Sequence, residues 1–331
     1  MCSKSIAAPG DVTDPPDSAQ ATAGQCDRDC LIGLMDQYLA ALVAHDPSRL
    51  RLTKTVKYTE NTATIPVGDG LWVGVSGGPT TFKIYAADVT AGQVGLLGVL
   101  QEFGKPVLLA LRLKVVERRI AEIEHVVARH LREPAMPNLV EPRPGFLQPI
   151  PPSERVSREE MLRIADSYFE SIEQCNGDLA PFADDAERHE NGIQTTTNEP
   201  SDPASFGSSE SEQVRLAMAR IDALGVRDQM NCRILSYITR IRPRRLLIVD
   251  EEMGLVYGFP MFVHRGDVRT IKIVGVPGVD TVPRPVDPIN LQAGEIFKIR
   301  NGQIHEIEAN GFLLPYNAKC GWEEEYGTEI C

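Results

Sequence analysis

The chain has 331 residues, which at roughly 100–200 residues per domain points to two domains. It is 42% hydrophobic and 24% charged, values of a soluble globular protein and not of a disordered chain. A net charge of −12 disfavours nucleic acid and anionic membrane surfaces as partners, and no run of 18 or more apolar residues is present to span a bilayer.

Residues 1–25 are rich in Ala, Pro, Asp, Ser, Thr and Gly and lack an apolar h-region, so they read as a flexible lead and not as a signal peptide. An ordinary leader of this kind goes with the cytoplasm. Cys2 followed by Ser3-Lys4-Ser5 is the alternative, the start of a lipid-anchored exported protein. The seven cysteines are scattered. Cys26 and Cys30 have no second Cys/His pair at zinc spacing, so no metal is expected, and a Cys175–Cys232 bridge is one pairing the sequence leaves open.

An amphipathic helix follows, with Leu31, Leu34, Tyr38, Leu39, Leu42 and Val43 at helical spacing. Next come a polar strand at 57–61, a turn at 88–92, a strand at 93–100 and a hairpin at 111–124. Seven prolines between 133 and 153 fix φ and remove donors, so this stretch reads as an extended, semi-rigid linker that is neither helix nor central strand. The expected organisation is a lead at 1–25, a first domain at 26–132, the linker at 133–153 and a second domain at 154–331.

The same order then recurs. Ser157 is placed to cap a helix carrying Met161, Ile164, Tyr168 and Phe169, with Glu159 and Glu160 in its first turn. A polar strand at 188–192 again contains Glu-Asn, and 250–254 is again an Asp…Gly turn before a strand at 255–263. The segment at 295–308 aligns without gaps on 111–124, matching Lys298, Ile304, Glu306, Ile307 and Glu308 to Lys114, Ile120, Glu122, Ile123 and Glu124. Asn301-Gly302 is a type I′ turn signal. Four elements repeated in order indicate an internal duplication. The second copy adds a polar insert at 194–211, a helix at 214–224 and a loop at 274–290, read either as lids or as passive insertions.

The run Ile296-Phe-Lys-Ile-Arg-Asn-Gly-Gln-Ile-His-Glu-Ile-Glu308, with Tyr58-Thr-Glu-Asn61 and Gly68-Asp-Gly-Leu-Trp72, resembles the nuclear transport factor 2-like superfamily, especially its SnoaL-like branch, over most of 26–132 and 154–316. The resemblance implies an α+β fold of tandem cone-shaped domains, each with helices packed on a curved antiparallel sheet. It further implies an apolar pocket for a small oxygenated molecule and no metal or nucleotide cofactor. Units of this superfamily pair through their sheets, which implies a homodimer or a pseudo-dimer within the chain. Two functions follow: a cofactor-independent lyase, dehydratase or isomerase, or a non-catalytic binding or assembly module.

Each candidate site residue has two readings. His189 and Glu190 are adjacent on a strand, so at most one faces a pocket; His189 is the preferred general base, and the alternative is an exposed charged strand end. Tyr58 and Glu60 share a face, either as a hydrogen-bonded buried base or as the structural part of the repeated Glu-Asn. Tyr257 and Phe259 are pocket lining or plain core, and His264 and His305 catalytic or satisfied histidines. Arg244, within the basic cluster Arg240, Arg242, Arg244 and Arg245, holds a ligand carboxylate or pairs with acids. Glu122, Glu124, Glu306 and Glu308 read as a solvated face or as cross-strand partners of Lys114 and Lys298. The motifs of nucleophilic hydrolases, P-loop enzymes, zincins and dinucleotide-binding folds are absent.

Overall fold

A computed structural model describes residues 26–198 and 211–322; the N-terminal lead, Cys2, Cys331 and most of the polar insert lie outside the described residues. The chain is a mixed helix-and-strand fold with a curled, half-barrel sheet.

Helix α1 (Arg28–Val43) starts at Asp27, whose carboxylate accepts from the Cys30 N–H. The strands β1 (Leu52–Glu60), β2 (Ala63–Thr64), β3 (Val75–Gly77), β4 (Lys83–Asp88), β5 (Gln93–Glu102), β6 (Lys105–Val116) and β7 (Arg119–Ala128) form one sheet in the order β2-β1-β7-β6-β5-β3, with β4 also on β5. A single turn, α2 (Leu71–Gly74), precedes β3. After the short helix α3 (Pro144–Leu147), α4 (Arg158–Gln174) begins at Ser157, whose hydroxyl accepts from the Glu160 N–H as the sequence predicts.

The second sheet is built from β8 (Phe182–Glu190), β9 (Ile193–Gln194), β10 (Arg240–Ile241), β11 (Leu246–Asp250), β12 (Leu255–Gly258) and β13 (Met261–His264). Between β9 and β10 lie the inserted helices α5 (Glu212–Asp222) and α6 (Val226–Asn231). A small separate hairpin follows, β14 (Thr270–Lys272) with β15 (Thr281–Pro283), and β16 (Ile289–Arg300) and β17 (Gln303–Pro315) complete the second sheet. Its order, β10-β13-β16-β17-β8-β9 with β12 on β16 and β11 on β12, matches the first with β12 and β13 together in the place of β5. The predicted strand at 255–263 is broken at Phe259-Pro260 into β12 and β13, because proline has no N–H for the ladder.

The sheets are not purely antiparallel: β1 runs parallel to β7 and β8 parallel to β17. The second hairpin turns at Asn301 and Gly302, with φ of 51° and 73°, as Asn-Gly predicts. The first achieves the same turn with Glu117 and Arg118, also at positive φ.

The apolar faces stack in four layers. Helix α1 buries Leu31, Met35, Tyr38 and Leu39 on one face of the first sheet, and α4 buries Ile164, Tyr168, Phe169 and Ile172 on the second. The opposite faces meet each other, Ile84, Leu97, Val99 and Leu108 against Ile248, Leu255, Tyr257 and Ile296. Buried on both faces, β6 reads as the nearly continuous apolar run Val107-Leu-Leu-Ala-Leu.

The two turn aspartates tie these layers reciprocally. Asp88 closes its own turn through the Ala91 N–H, accepts from the Val249 N–H at 2.8 Å and pairs with Arg158 of α4 at 2.6 Å. Asp250 closes its turn through the Met253 N–H, accepts from the Ala87 N–H at 2.9 Å and pairs with Arg28 of α1 at 2.5 Å. Glu124, fully buried, receives both Arg245 Nη atoms at 2.6 and 2.8 Å and Arg112 Nε at 2.9 Å, and Trp322 stacks on the same two guanidinium groups. Glu124 and Glu308 are therefore not a solvated face; Glu308 is buried beside Arg143. Glu122 does reach Lys114, at 3.2 Å.

The proline-rich stretch is not an extended connector. It folds into short helical turns at Glu133–Leu139, α3 and Pro152–Glu154, and buries Ala135, Leu139, Phe146 and Ile150. Pro134, Pro144 and Pro152 stand at the first positions of those turns, where the missing N–H has no helical partner to lose, and Pro137 lies inside the first of them. Cys26 and Cys30 are joined as a disulfide, whereas Cys175 and Cys232 are free thiols and do not bridge.

Candidate functional site

On the α4 face of the second sheet lies a cavity in two lobes, an outer one of about 320 Å3 and an inner one of about 120 Å3, which share Arg188, Glu190, Asn191, Leu235 and Tyr237. Strand alternation puts Arg188 and Glu190 of β8 on the face that Phe182 and Ala186 already bury against α4. The same alternation presents Leu291, Ala293 and Glu295 of β16 to the inner lobe. Tyr168 and Ile172, one turn apart on α4, close it from above. The inserted elements form the outer wall: Val214, Met218 and Asp222 of α5 recur at one-turn spacing, and Val282 to Arg284 come from β15 and its end. The insertions at 214–224 and 274–290 are thus walls of the cavity.

The titratable groups converge at the neck. Arg188 is 2% exposed; its Nε meets Thr195 Oγ1 and Glu190 Oε1, both at 2.9 Å, and its Nη2 donates to Gln229 Oε1, while Nη1 has no partner among the described residues. Burial pushes the Glu295 carboxyl up to about 8; Glu190 pushes it the same way, and Tyr168 and Arg188 hold it back. One of its oxygens, Oε2, has no hydrogen bond. Burial likewise raises the Tyr168 hydroxyl far above its ordinary range. His264 makes a T-shaped contact with Tyr237, neither ring nitrogen has a partner among the described residues, and burial with nearby Arg284 pushes its pKa down to about 4. At neutral pH the cavity thus holds a protonated carboxyl, a neutral imidazole and a buried guanidinium.

The corresponding space in the first sheet is filled. Tyr38 stands in α1 where Tyr168 stands in α4, counted from Arg28 and Arg158. Its hydroxyl meets His125 Nε2 at 2.9 Å and accepts from Trp72 Nε1 at 3.2 Å. Tyr58 donates to Glu60 Oε2 at 3.0 Å and touches His125 Nδ1 at 3.2 Å. Glu60 also receives the Leu71 N–H and Arg129 Nη2. Burial pushes the Glu60 carboxyl up, but His125, Arg129 and the Leu71 N–H outweigh it and hold it at about 2. The register identifies what differs in the second sheet: Glu60 pairs with His125, whereas Glu190 pairs with Ala309. Ala309 stands where an imidazole fills the space against the first sheet, and Arg188 stands where Tyr58 does.

Of the sequence-predicted site residues, Glu190 and His264 line the cavity and Tyr58 with Glu60 form the closed network just described. His189 faces the other side of the sheet, 2.6 Å from Glu187 and 3.7 Å from Glu308, because its neighbours take the inner face. Tyr257 and Phe259 lie in the layer between the sheets, Tyr257 donating to Leu96 O. Arg244 lies on the outside of α4 against Asp166, Glu170 and Glu173 and holds no ligand position. His305 pairs with Asp185 at 2.6 Å. Glu295, Arg188, Tyr168 and Tyr237 were missed as site residues. One signal was present: in the aligned hairpins Glu295 replaces Leu111, a charge in an inward-facing apolar row.

Among the described residues no group of three His, Cys, Asp or Glu is arranged to hold a metal ion, and no helix is long and apolar enough to cross a membrane. A family model described as a domain of unknown function, DUF8021, matches residues 154–311, the stretch that supplies nearly all of the cavity. No curated protein is similar enough to this chain to match it.

Proposed function

We propose that the second unit is a small-molecule enzyme, a cofactor-independent lyase, dehydratase or isomerase that moves protons on an apolar, oxygenated compound, and that the first unit is its structural partner. The observation that carries this reading is Glu295, a buried carboxyl with a free oxygen and a pKa raised by burial to about 8, facing a cavity with Arg188 and Tyr168. As the acid, Glu295 donates its proton to a carbonyl or departing hydroxyl oxygen. As the carboxylate, it takes a proton from the adjacent carbon. Arg188 Nη1 is available to an oxygen of the bound compound. Neutral His264 is a second acceptor at the inner end.

The fold reading is the same proposal at a coarser level. Each unit is a cone of the nuclear transport factor 2-like type, of the SnoaL-like branch, and the two pack sheet against sheet as a pseudo-dimer. The shared strand order and the reciprocal Asp88 and Asp250 contacts support it. In this chain the sheet faces that would pair two copies already cover each other.

The test is turnover of a panel of aromatic and polyketide-like hydroxy-carbonyl compounds by wild type, Glu295→Gln and Glu60→Gln. Loss of an acid–base group costs on the order of 10²–10⁴-fold. The reading expects that loss in Glu295→Gln and activity retained in folded Glu60→Gln. Unchanged turnover in Glu295→Gln removes it from the mechanism. Binding without turnover across the panel favours the non-catalytic alternative.

A further inference from the structure

We propose that the ligand of this cavity is an amphiphilic monocarboxylate, its apolar body in the inner lobe and its carboxylate at the neck and outer lobe between Arg188 and Arg284. The proposal rests on the reading of the cavity as a small-molecule site and deepens it by naming the ligand's chemical class.

Three observations carry it. First, the Arg188 guanidinium is buried with no hydrogen bond at Nη1, while Nε and Nη2 are engaged by Thr195, Glu190 and Gln229 and the Tyr168 hydroxyl lies beside it. A buried donor without an acceptor costs on the order of 1–3 kcal/mol, more when charged, and an anionic oxygen removes that cost. Second, Arg284 lies over the Tyr237 ring at 4.2 Å, its Nε is buried without a hydrogen bond, and it has no ion pair among the described residues. Arg188 is balanced by Glu190, Arg132 and Asp222 of the outer lobe are opposite in sign, and Glu295 is neutral near pH 7, so with Arg284 the wall carries one net positive charge. Third, the lobes differ in lining. Ile172, Phe262, Leu291 and Ala293 make the inner lobe mostly apolar, whereas the outer lobe mixes Val214, Met218 and Val282 with Thr195, Gln229 and Arg284. An apolar body and an anionic head joined by a short link match that division.

Two guanidinium donors fit the two oxygens of a carboxylate. A phosphate, with three oxygens and nearly twice the charge, would leave at least one oxygen unmatched by these two donors. The recognition is therefore of one carboxylate, with Arg284 setting specificity from the inserted hairpin.

The experiment is titration calorimetry on the full chain at pH 7 and low salt with 3-phenylpropionate, its neutral isostere 3-phenylpropionamide, and phenyl phosphate. The expected result is that the carboxylate binds at least about tenfold tighter than the amide, a difference of about 1.4 kcal/mol. That preference falls to near unity in Arg284→Met, which changes a partly exposed hairpin residue and leaves the core intact. Circular dichroism of the variant checks its fold. Equal or tighter binding of the amide overturns the proposal. So does binding of neither compound, tighter binding of phenyl phosphate, or a preference that survives in a folded Arg284→Met. Failure here is separable from failure of the enzyme reading. Loss of turnover in Glu295→Gln with no carboxylate preference leaves an enzyme for a neutral substrate. A carboxylate preference without any effect of Glu295→Gln on turnover leaves a binding site without that chemistry.

Discussion

Glu295 links the cavity to folding stability in a way that needs no substrate. Its carboxyl titrates at about 8 in the folded protein against 4.5 for the ordinary group, first because it is buried and next because Glu190 faces it. Between those values the unfolded chain has lost a proton that the folded chain retains. Stability contributed by this group is therefore full below pH 4.5 and falls as pH rises towards 8. At about 1.4 kcal/mol per unit, the interval from pH 5 to pH 7 removes on the order of 2–3 kcal/mol, and the whole interval up to about 5 kcal/mol. Glu295→Gln keeps the shape and removes the titration. Urea unfolding followed by far-ultraviolet circular dichroism, at pH 5 and pH 7, is run on both proteins. The difference between them isolates Glu295, because the other titrating groups are common to both. The expected outcome is that Glu295→Gln gains about 2–3 kcal/mol on wild type between pH 5 and pH 7. Parallel pH dependences, within about 0.5 kcal/mol, would refute the placement of this carboxyl in a dry wall.

Other perturbations follow from the same geometry. His264 is held down at about 4 from 6.5, so below pH 6.5 the unfolded chain takes up a proton the folded chain resists, and stability falls by up to about 3 kcal/mol towards pH 4. His264→Phe should flatten that acid limb in the same unfolding assay. Glu124→Gln removes the carboxylate that joins Arg112 and Arg245, Arg112 keeping Glu122, and should cost about 3–5 kcal/mol; a loss below about 1 kcal/mol would show that the contact between the sheets does not depend on it. A Cβ at Gly294 would overlap that of Ala110 where the two sheets approach, so Gly294→Ala should destabilise by about 1–3 kcal/mol, read as a lowered thermal midpoint.

Much of the fold was legible because local chemistry decides it. Ser157 before Glu159 and Glu160, Asn301-Gly302 between alternating residues, and the gap-free match of the two hairpins each act over a few residues, and each appears where the sequence places it. The parallel pairing of β1 with β7 and of β8 with β17 was not legible, since it joins segments far apart in the chain. The proline-rich stretch was misread because first-turn proline is compatible with short helices, and only the burial of Phe146 and Ile150 reveals that it packs. At the site, a period of two excluded one of His189 and Glu190, and the apolar positions Phe182 and Ala186 already gave the parity that selects Glu190. The walls from α5 and β15 depend on packing between insertions and carried no local sign. Tyr257 and Phe259 are aromatic on both readings, and which sheet face they occupy is set by the β16 register.

The most direct measurement is crystallographic: soak crystals with 3-phenylpropionate and locate the bound molecule. The account predicts density in the two-lobed cavity of the second unit, its ring near Leu235 and Ala293 and its carboxylate within hydrogen-bond reach of Arg188 or Arg284. Density among Tyr38, Tyr58 and His125 of the first unit, or a cavity that stays without ligand at saturating concentration, would contradict it.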